Sequence, residues 1–130
     1  MSNWTHVAGI VRIDNIEHLD GKLDFTNIFG KECLWNSDIL TWNDFNNNPT
    51  KYLPMGSEGS LEMSVWENPD KNCSNAYTVS IFGDLRDHYN PQEIIDWFKS
   101  KINTLWIRQA VITVQNEWNG TCTWTYGFGD

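Results

Sequence analysis

The sequence predicts one α+β domain over residues 1–130, with an antiparallel sheet of about five strands and one or two helices on one face. Segments of alternating apolar and polar residues, typical of strands, are joined by turn-forming residues. One segment instead begins with a helix-capping asparagine and continues with apolar residues at helical spacing. The chain length of 130 residues fits a single hydrophobic core.

The first predicted strand covers residues 5–14, where both alternating rows of side chains are largely apolar. Apolarity on both faces favours a central position in the sheet. A long segment at about residues 15–59 then loses this periodicity, and its many Gly, Pro and Asn residues predict loop. Within it, a short helix is possible at residues 24–33, with Phe25, Ile28 and Phe29 on one side.

Two further strands are predicted at residues 60–67 and 76–85. In the first, Leu61, Met63 and Val65 alternate with polar residues and Trp66. The turn-forming residues 68–72 separate the two segments, so we expect an antiparallel hairpin with a longer loop.

The clearest helix start is Asn90 followed by Pro91, with Glu93 at the third helical position. Apolar residues recur at helical spacing to Leu105, which predicts a helix at residues 91–103 packed on the sheet.

The last two predicted strands, residues 106–116 and 121–128, flank Asn119-Gly120, a strong signal for a two-residue hairpin loop. That loop would place Trp124 opposite Gln115. The resulting order of elements is that of a ferredoxin-like split βαβ unit with one extra terminal strand.

The composition limits the classes of partner. Nine basic against 17 acidic residues give a formal charge of −8, so the chain repels phosphate backbones and anionic membrane surfaces. We therefore expect neither direct nucleic-acid binding nor membrane binding, whereas a basic protein surface would be attracted. Acidity that serves only solubility is the alternative. No secretion signal or apolar span is evident, which predicts a cytoplasmic protein.

Motifs for catalysis or metal binding are absent from the sequence. It has no P-loop, dinucleotide-binding glycine pattern, nucleophile elbow or HExxH, and its three cysteines lack zinc-ligand spacing. One local cluster, Asp84, Arg86, Asp87 and His88, would suit an enzyme site at a strand end. We favour a structural role for it near the helix start, and we expect no enzyme, no cofactor and no metal.

The aromatic residues indicate a binding surface more strongly than any motif indicates catalysis. Eight Trp residues are more than so short a chain is expected to bury completely. Exposed Trp beside charged residues is typical of protein interfaces. Packing in the core remains the alternative for any single Trp. The predicted binding residues combine aromatics and acids, with the last two as a secondary patch: Trp35, Asp38, Trp42, Asp44, Trp66, Trp124, Asp84 and Asp87.

Residues 4–13, 56–61, 66–69 and 82–87 together resemble small uncharacterised proteins encoded by bacteriophages. The resemblance implies a phage accessory protein, a group that includes inhibitors of host defence such as anti-CRISPR proteins. It carries over no catalytic or binding motif. We therefore expect a non-catalytic inhibitor that covers a basic functional surface of a bacterial host protein in the host cytoplasm.

Three other functions stay open at this point. A sequestering protein could hold a nucleotide signal between aromatics beside Lys22, Lys31 and Lys51, or beside Arg86 and Arg108. An enzyme could be built around Asp84, Asp87 and His88. A phage structural protein could join its neighbours through an exposed strand edge, and such edges also make a homodimer possible.

Overall fold

A computed structural model describes residues 2–15, 24–31, 52–68, 75–88 and 90–127. It confirms the predicted α+β class: the described residues form one antiparallel five-stranded sheet with two helices. The elements are β1 (Trp4–Asn15), α1 (Phe25–Phe29), β2 (Glu62–Glu67), β3 (Asn75–Arg86), α2 (Pro91–Ile102), β4 (Ile107–Asn116) and β5 (Gly120–Tyr126).

The strands lie in the order β2-β3-β1-β4-β5, and every neighbouring pair is antiparallel. β1 is central, as its two apolar rows predicted, and it pairs with β3 over its whole length. The predicted hairpin of β2 and β3 is also confirmed, with Val65 opposite Val79.

The hydrophobic core lies between one face of the sheet and both helices. Alternate residues of β1, β3 and β4 point into it, including Val11, Val79 and Ile112, none of which is exposed. From α1, Phe25 meets the ring of Tyr77 edge to face. Both helices therefore cover the same face, as the sequence predicted.

Helix α2 forms as its sequence predicts. The Asn90 side chain accepts a hydrogen bond from the backbone N–H of Gln92 at 3.1 Å, and Pro91 begins the helix. Ile94, Ile95, Phe98 and Ile102 form its buried stripe. Helix α1 begins after Asp24 but spans five residues, and the end of the predicted segment 24–33 lies outside the described residues.

The predicted register of the last hairpin is wrong. Three residues, Glu117–Asn119, connect the strands, and Gly120 takes a φ of 89° while pairing with Asn116. Asn119 does not take a positive φ, so the turn is a longer type ending in a left-handed glycine. The change places Trp124 opposite Ile112 instead of Gln115, which turns it to the helix-covered face.

Residues 56–60 lie against the end of β3. The N–H of Ser57 donates to the carbonyl of Arg86 at 2.8 Å, and the N–H of Arg86 donates to the carbonyl of Glu58 at 3.0 Å. Glycine is needed for this close approach, because a Cβ on Gly59 would lie 2.1 Å from the Asp84 carbonyl oxygen.

Candidate interaction surface

The sheet face opposite α1 and α2 is called here the open sheet face. Among the described residues, both helices pack on the other side. Because side chains alternate along a strand, the paired register fixes which residues share this face. They are Glu62, Ser64 and Trp66 of β2; Thr78, Ser80, Phe82 and Asp84 of β3; His6, Ala8, Ile10 and Arg12 of β1; Gln109, Val111, Thr113 and Gln115 of β4; and Thr121, Thr123 and Thr125 of β5.

The centre of the open sheet face is apolar. Phe82 lies beside Ala8 on the neighbouring strand, and Ile10 lies beside Val111. Ile10 is 48% and Phe82 40% exposed, and Trp66, on the edge strand β2 of the same face, is 50% exposed. Large apolar side chains grouped on one exposed face are typical of an interaction site, whereas scattered ones are ordinary.

Carboxylates surround one end of this face, and we call Glu62, Asp84 and Glu117 the acidic end. Here His6 Nδ1 lies 2.7 Å from Asp84 Oδ1, and His6 Nε2 lies 3.8 Å from Glu117 Oε2. The hydrogen bond to Asp84 raises the pKa of His6 above its ordinary value, against a smaller opposing effect of burial. Protonation of His6 would therefore partly neutralise the acidic end.

The opposite end of the face carries basic groups. Arg12 shares a row with Thr78 and Gln109, and Trp66 lies one strand beyond Thr78. Nearby, Arg108 Nε contacts Asp14 Oδ2 at 2.9 Å. The Arg108–Asp14 pair is neutral, so Arg12 supplies the positive charge at this end, and the charge of the face is less uniform than the net charge indicates.

A buried cluster of hydrogen bonds, on the helix-covered side of the sheet, holds the turn that carries Glu117 of the acidic end. Asn116 is 2% exposed, and its Nδ2 donates to Thr5 Oγ1 at 2.8 Å and to the His88 carbonyl at 3.2 Å. Its Oδ1 accepts from the backbone N–H groups of Trp118 and Asn119, at 3.0 and 2.8 Å. One side chain therefore joins the central strands to the turn that carries Glu117.

The predicted binding residues fall in different places. Trp66 and Asp84 share the open sheet face, although they lie toward different ends of it. Trp124 lies on the helix-covered face. Asp87 follows β3 and accepts a hydrogen bond from Ser57 Oγ at 2.7 Å. Four predicted residues lie outside the described residues: Trp35, Asp38, Trp42 and Asp44.

The side chains of Asp84, Asp87 and His88 contact different parts of the molecule and do not converge on one site. Asp84 meets His6, Asp87 meets Ser57, and His88 Nε2 lies 3.8 Å from a carboxylate oxygen of Glu93 on α2. Burial lowers the pKa of His88, with Glu93 opposing the effect. Asp87 adopts a φ of 61°, a conformation that suits a turn. These contacts favour the structural role proposed for the cluster.

A second exposed feature is a groove of about 430 Å³ between the end of α2 and β5. The rings of Trp124 and Tyr126 stack there, with centroids 6.4 Å apart. The Lys99 ammonium lies 5.4 Å from the Trp124 ring centroid, a cation–π distance. Ile102 and Leu105 also line the groove.

No group of three or more His, Cys, Asp or Glu side chains is placed to hold a metal ion in the described part of the chain. None of the helices described is long and apolar enough to cross a membrane.

Sequence reasoning missed several residues of the open sheet face. His6, Ile10 and Phe82 all belong to alternating rows that were visible in the sequence. Which row of β1 would face the helices was not visible, since both rows are apolar. No sequence pattern indicated the roles of Glu117 and Asn116, because their contacts depend on the three-residue length of the β4–β5 turn.

Comparison with family models, with curated proteins and with solved structures found no match to the chain.

Proposed function

We propose that this chain is a non-catalytic binding protein that uses the open sheet face to cover a functional surface of a bacterial host protein. The observation that carries the proposal is the exposed apolar centre formed by Ile10 and Phe82, with Trp66 on the edge strand of the same face and carboxylates at its acidic end. The resemblance to phage proteins favours a host defence system as the target, as with anti-CRISPR inhibitors.

The apolar centre would supply most of the affinity. Burying a large apolar side chain completely contributes about 1.5–3 kcal/mol, so each of these half-exposed side chains would contribute roughly half of that. Trp residues are also frequent among the side chains that dominate interfaces. Ile10 and Phe82 stand on adjacent central strands, so their positions are fixed before binding. A rigid surface loses little conformational entropy on association.

The charges define the expected partner more closely. The acidic end would meet Lys or Arg on the partner, and the net charge of −8 would draw a basic protein toward it. Arg12 would face an acidic or polar group. Nucleic acid is the less favoured ligand, because the molecule as a whole repels phosphate.

The proposal is tested by capture of the partner from a bacterial lysate, followed by calorimetry with the purified partner. Phe82→Ser and Trp66→Ser should each weaken binding at least about tenfold, the equivalent of about 1.4 kcal/mol. Trp118→Ser is the matched control, because Trp118 is 59% exposed but lies in the β4–β5 turn. Equal affinities for all four proteins would show that the open sheet face is not the binding site.

A nucleotide-sequestering protein is the second candidate, and the groove beside Trp124 favours it. A base could stack on Trp124 or Tyr126, and Lys99 could neutralise a phosphate. Arg86 and Arg108 are less suited, since each contacts a carboxylate, Glu58 and Asp14 respectively. Calorimetry with cyclic nucleotides decides: binding that is lost in Trp124→Ala supports sequestration, and no heat with any of them opposes it.

We also propose that the fold is a variant of the ferredoxin-like arrangement. The elements follow the chain order β-α-β-β-α-β, as in a ferredoxin-like split βαβ unit, and β5 is added after it. The short α1 is the main departure, with five residues. The proposed function does not depend on this assignment.

A further inference from the structure

The two edges of the sheet differ in how they discourage pairing with other chains. β2, at one edge, has six residues and carries Glu62 and Glu67 at its two ends. Charges on an edge strand are a common protection against edge-to-edge association, because a paired strand would bring them together. β5, at the other edge, has seven residues and contains no charged residue and no proline.

The composition of β5 also favours strand pairing. Its residues Thr121, Cys122, Thr123, Trp124, Thr125 and Tyr126 are mostly β-branched or aromatic, the types enriched in strands. Seven residues extend roughly 24 Å, enough for several main-chain hydrogen bonds. Among the described strands, β4 is the one that pairs with β5, and Thr121, Thr123 and Thr125 of β5 are exposed.

The sequence of β5 is compatible with a second copy of itself. In an antiparallel pair centred on Thr123, Thr121 faces Thr125 of the second copy, and Cys122 faces the second copy's Trp124. Thr–Thr cross-strand pairs are favourable. Because β5 has no charged residue, pairing two copies of it brings no like charges face to face within the strands. The net charge of −8 is carried by other parts of the chain.

The groove beside β5 adds an apolar component to the same contact. Trp124 and Tyr126 face the helix side of the sheet, where the groove opens beside α2. A second β5 would bring its own Trp124 to that side. Main-chain pairing and aromatic burial would then occur together.

We propose that the chain forms a homodimer in which β5 pairs antiparallel with β5 of a second copy about a two-fold axis near Thr123, joining the two sheets into one. This inference is independent of the proposed function, because it requires no host partner. The open sheet face remains accessible in the dimer, since β5 pairing uses the edge of the sheet.

The first test measures mass by light scattering across a concentration series. The wild type should approach twice 15.1 kDa, and Thr123→Lys should remain at 15.1 kDa because two ammonium groups would meet at the axis. Ser64→Lys is the matched control: Ser64 is also an exposed hydroxyl residue in the middle of an edge strand on the open sheet face. It should remain dimeric. A wild type at 15.1 kDa up to its solubility limit, or equal dissociation of both variants, would overturn the proposal.

The second test traps the dimer covalently, so that it does not depend on how a lysine variant folds. Cys33, Cys73 and Cys122 are replaced by Ser, and Thr123→Cys is added. Opposite residues in antiparallel strands have Cα atoms about 4.5–5.5 Å apart, within disulfide range. Mild oxidation should give a disulfide-linked dimer with Thr123→Cys and none with Ser64→Cys. Linkage at position 64 alone, or at neither position, would contradict pairing about Thr123.

Discussion

At the scale of single residues, Asn116 illustrates how one buried amide organises a surface. It joins Thr5 on β1, the His88 carbonyl before α2, and the turn that carries Glu117. All of its contacts are made in the interior or at the turn, so the side chain acts by positioning the acidic end.

Asn116→Ala should lower the free energy of unfolding by about 1–3 kcal/mol, because buried hydrogen-bond partners are left unsatisfied. Gln115→Ala is the control on the adjacent, exposed position and should change stability by less than about 0.5 kcal/mol. Chemical denaturation measures both. Similar losses for the two variants would show that the buried cluster has no special role.

His6 and Asp84 provide a residue-scale prediction with a pH dependence. Asp84→Asn should bring the pKa of His6 down toward its ordinary value of 6.5, as measured by NMR titration of the ring. Asp87→Asn is the matched control, since Asp87 contacts Ser57 and not His6. A His6 pKa that stays raised in Asp84→Asn would rule out Asp84 as the cause.

The His6–Asp84 pair also predicts how the free energy of unfolding changes with pH. The folded-state pKa of His6 is raised, so its contribution is fully present below pH 6.5 and is lost as the pH rises through the folded value. The stability difference between the wild type and Asp84→Asn should therefore be larger at pH 6 than at pH 8. It should stay below about 1 kcal/mol, because both groups are largely exposed.

At the scale of elements, the strands and α2 follow from sequence pattern, and the connections do not. The bounds of β3 and α2 agree with the predicted segments within a residue or so. The β4–β5 turn was mispredicted because Asn119-Gly120 indicates a two-residue loop locally, whereas Asn116 makes a longer turn favourable by accepting two hydrogen bonds within it.

Substitution of two glycines by alanine distinguishes backbone strain at a positive φ from a steric clash of the added Cβ. Gly59 and Gly120 both have positive φ, 80° and 89°, but only at Gly59 would a Cβ meet a neighbour, the Asp84 carbonyl oxygen. Gly120→Ala should cost about 1–2 kcal/mol from backbone strain alone. Gly59→Ala should cost clearly more, because the main chain of residues 56–60 must also move away from β3.

Thermal and chemical unfolding of the two variants provide the measurement. Equal costs would show that residues 56–60 can shift away from β3 freely, and that their contact with β3 contributes little to stability.

At the scale of the whole molecule, charge should act on the rate of association with the proposed partner. Raising the ionic strength should slow association and leave dissociation nearly unchanged, because screening weakens long-range attraction. Glu62→Gln with Asp84→Asn should reproduce part of this effect at low salt. Asp96→Asn on α2, behind the sheet, is the control and should have a smaller effect.

Stopped-flow or surface-binding kinetics measure both rate constants. An association rate that does not depend on salt would remove the electrostatic part of the proposal while leaving the apolar centre in place.

The sequence by itself determined the α+β class, the single five-stranded antiparallel sheet, and the capped helix α2, because alternation, helical spacing and capping are local patterns. It also determined the acidity that favours a basic partner. The tertiary structure decided which apolar row of β1 became the open sheet face, how His6 came to lie between Asp84 and Glu117, and that Trp124 faces the helices. These features depend on strand register and on which face the helices cover, and a shift of one residue in register exchanges the two faces of a strand.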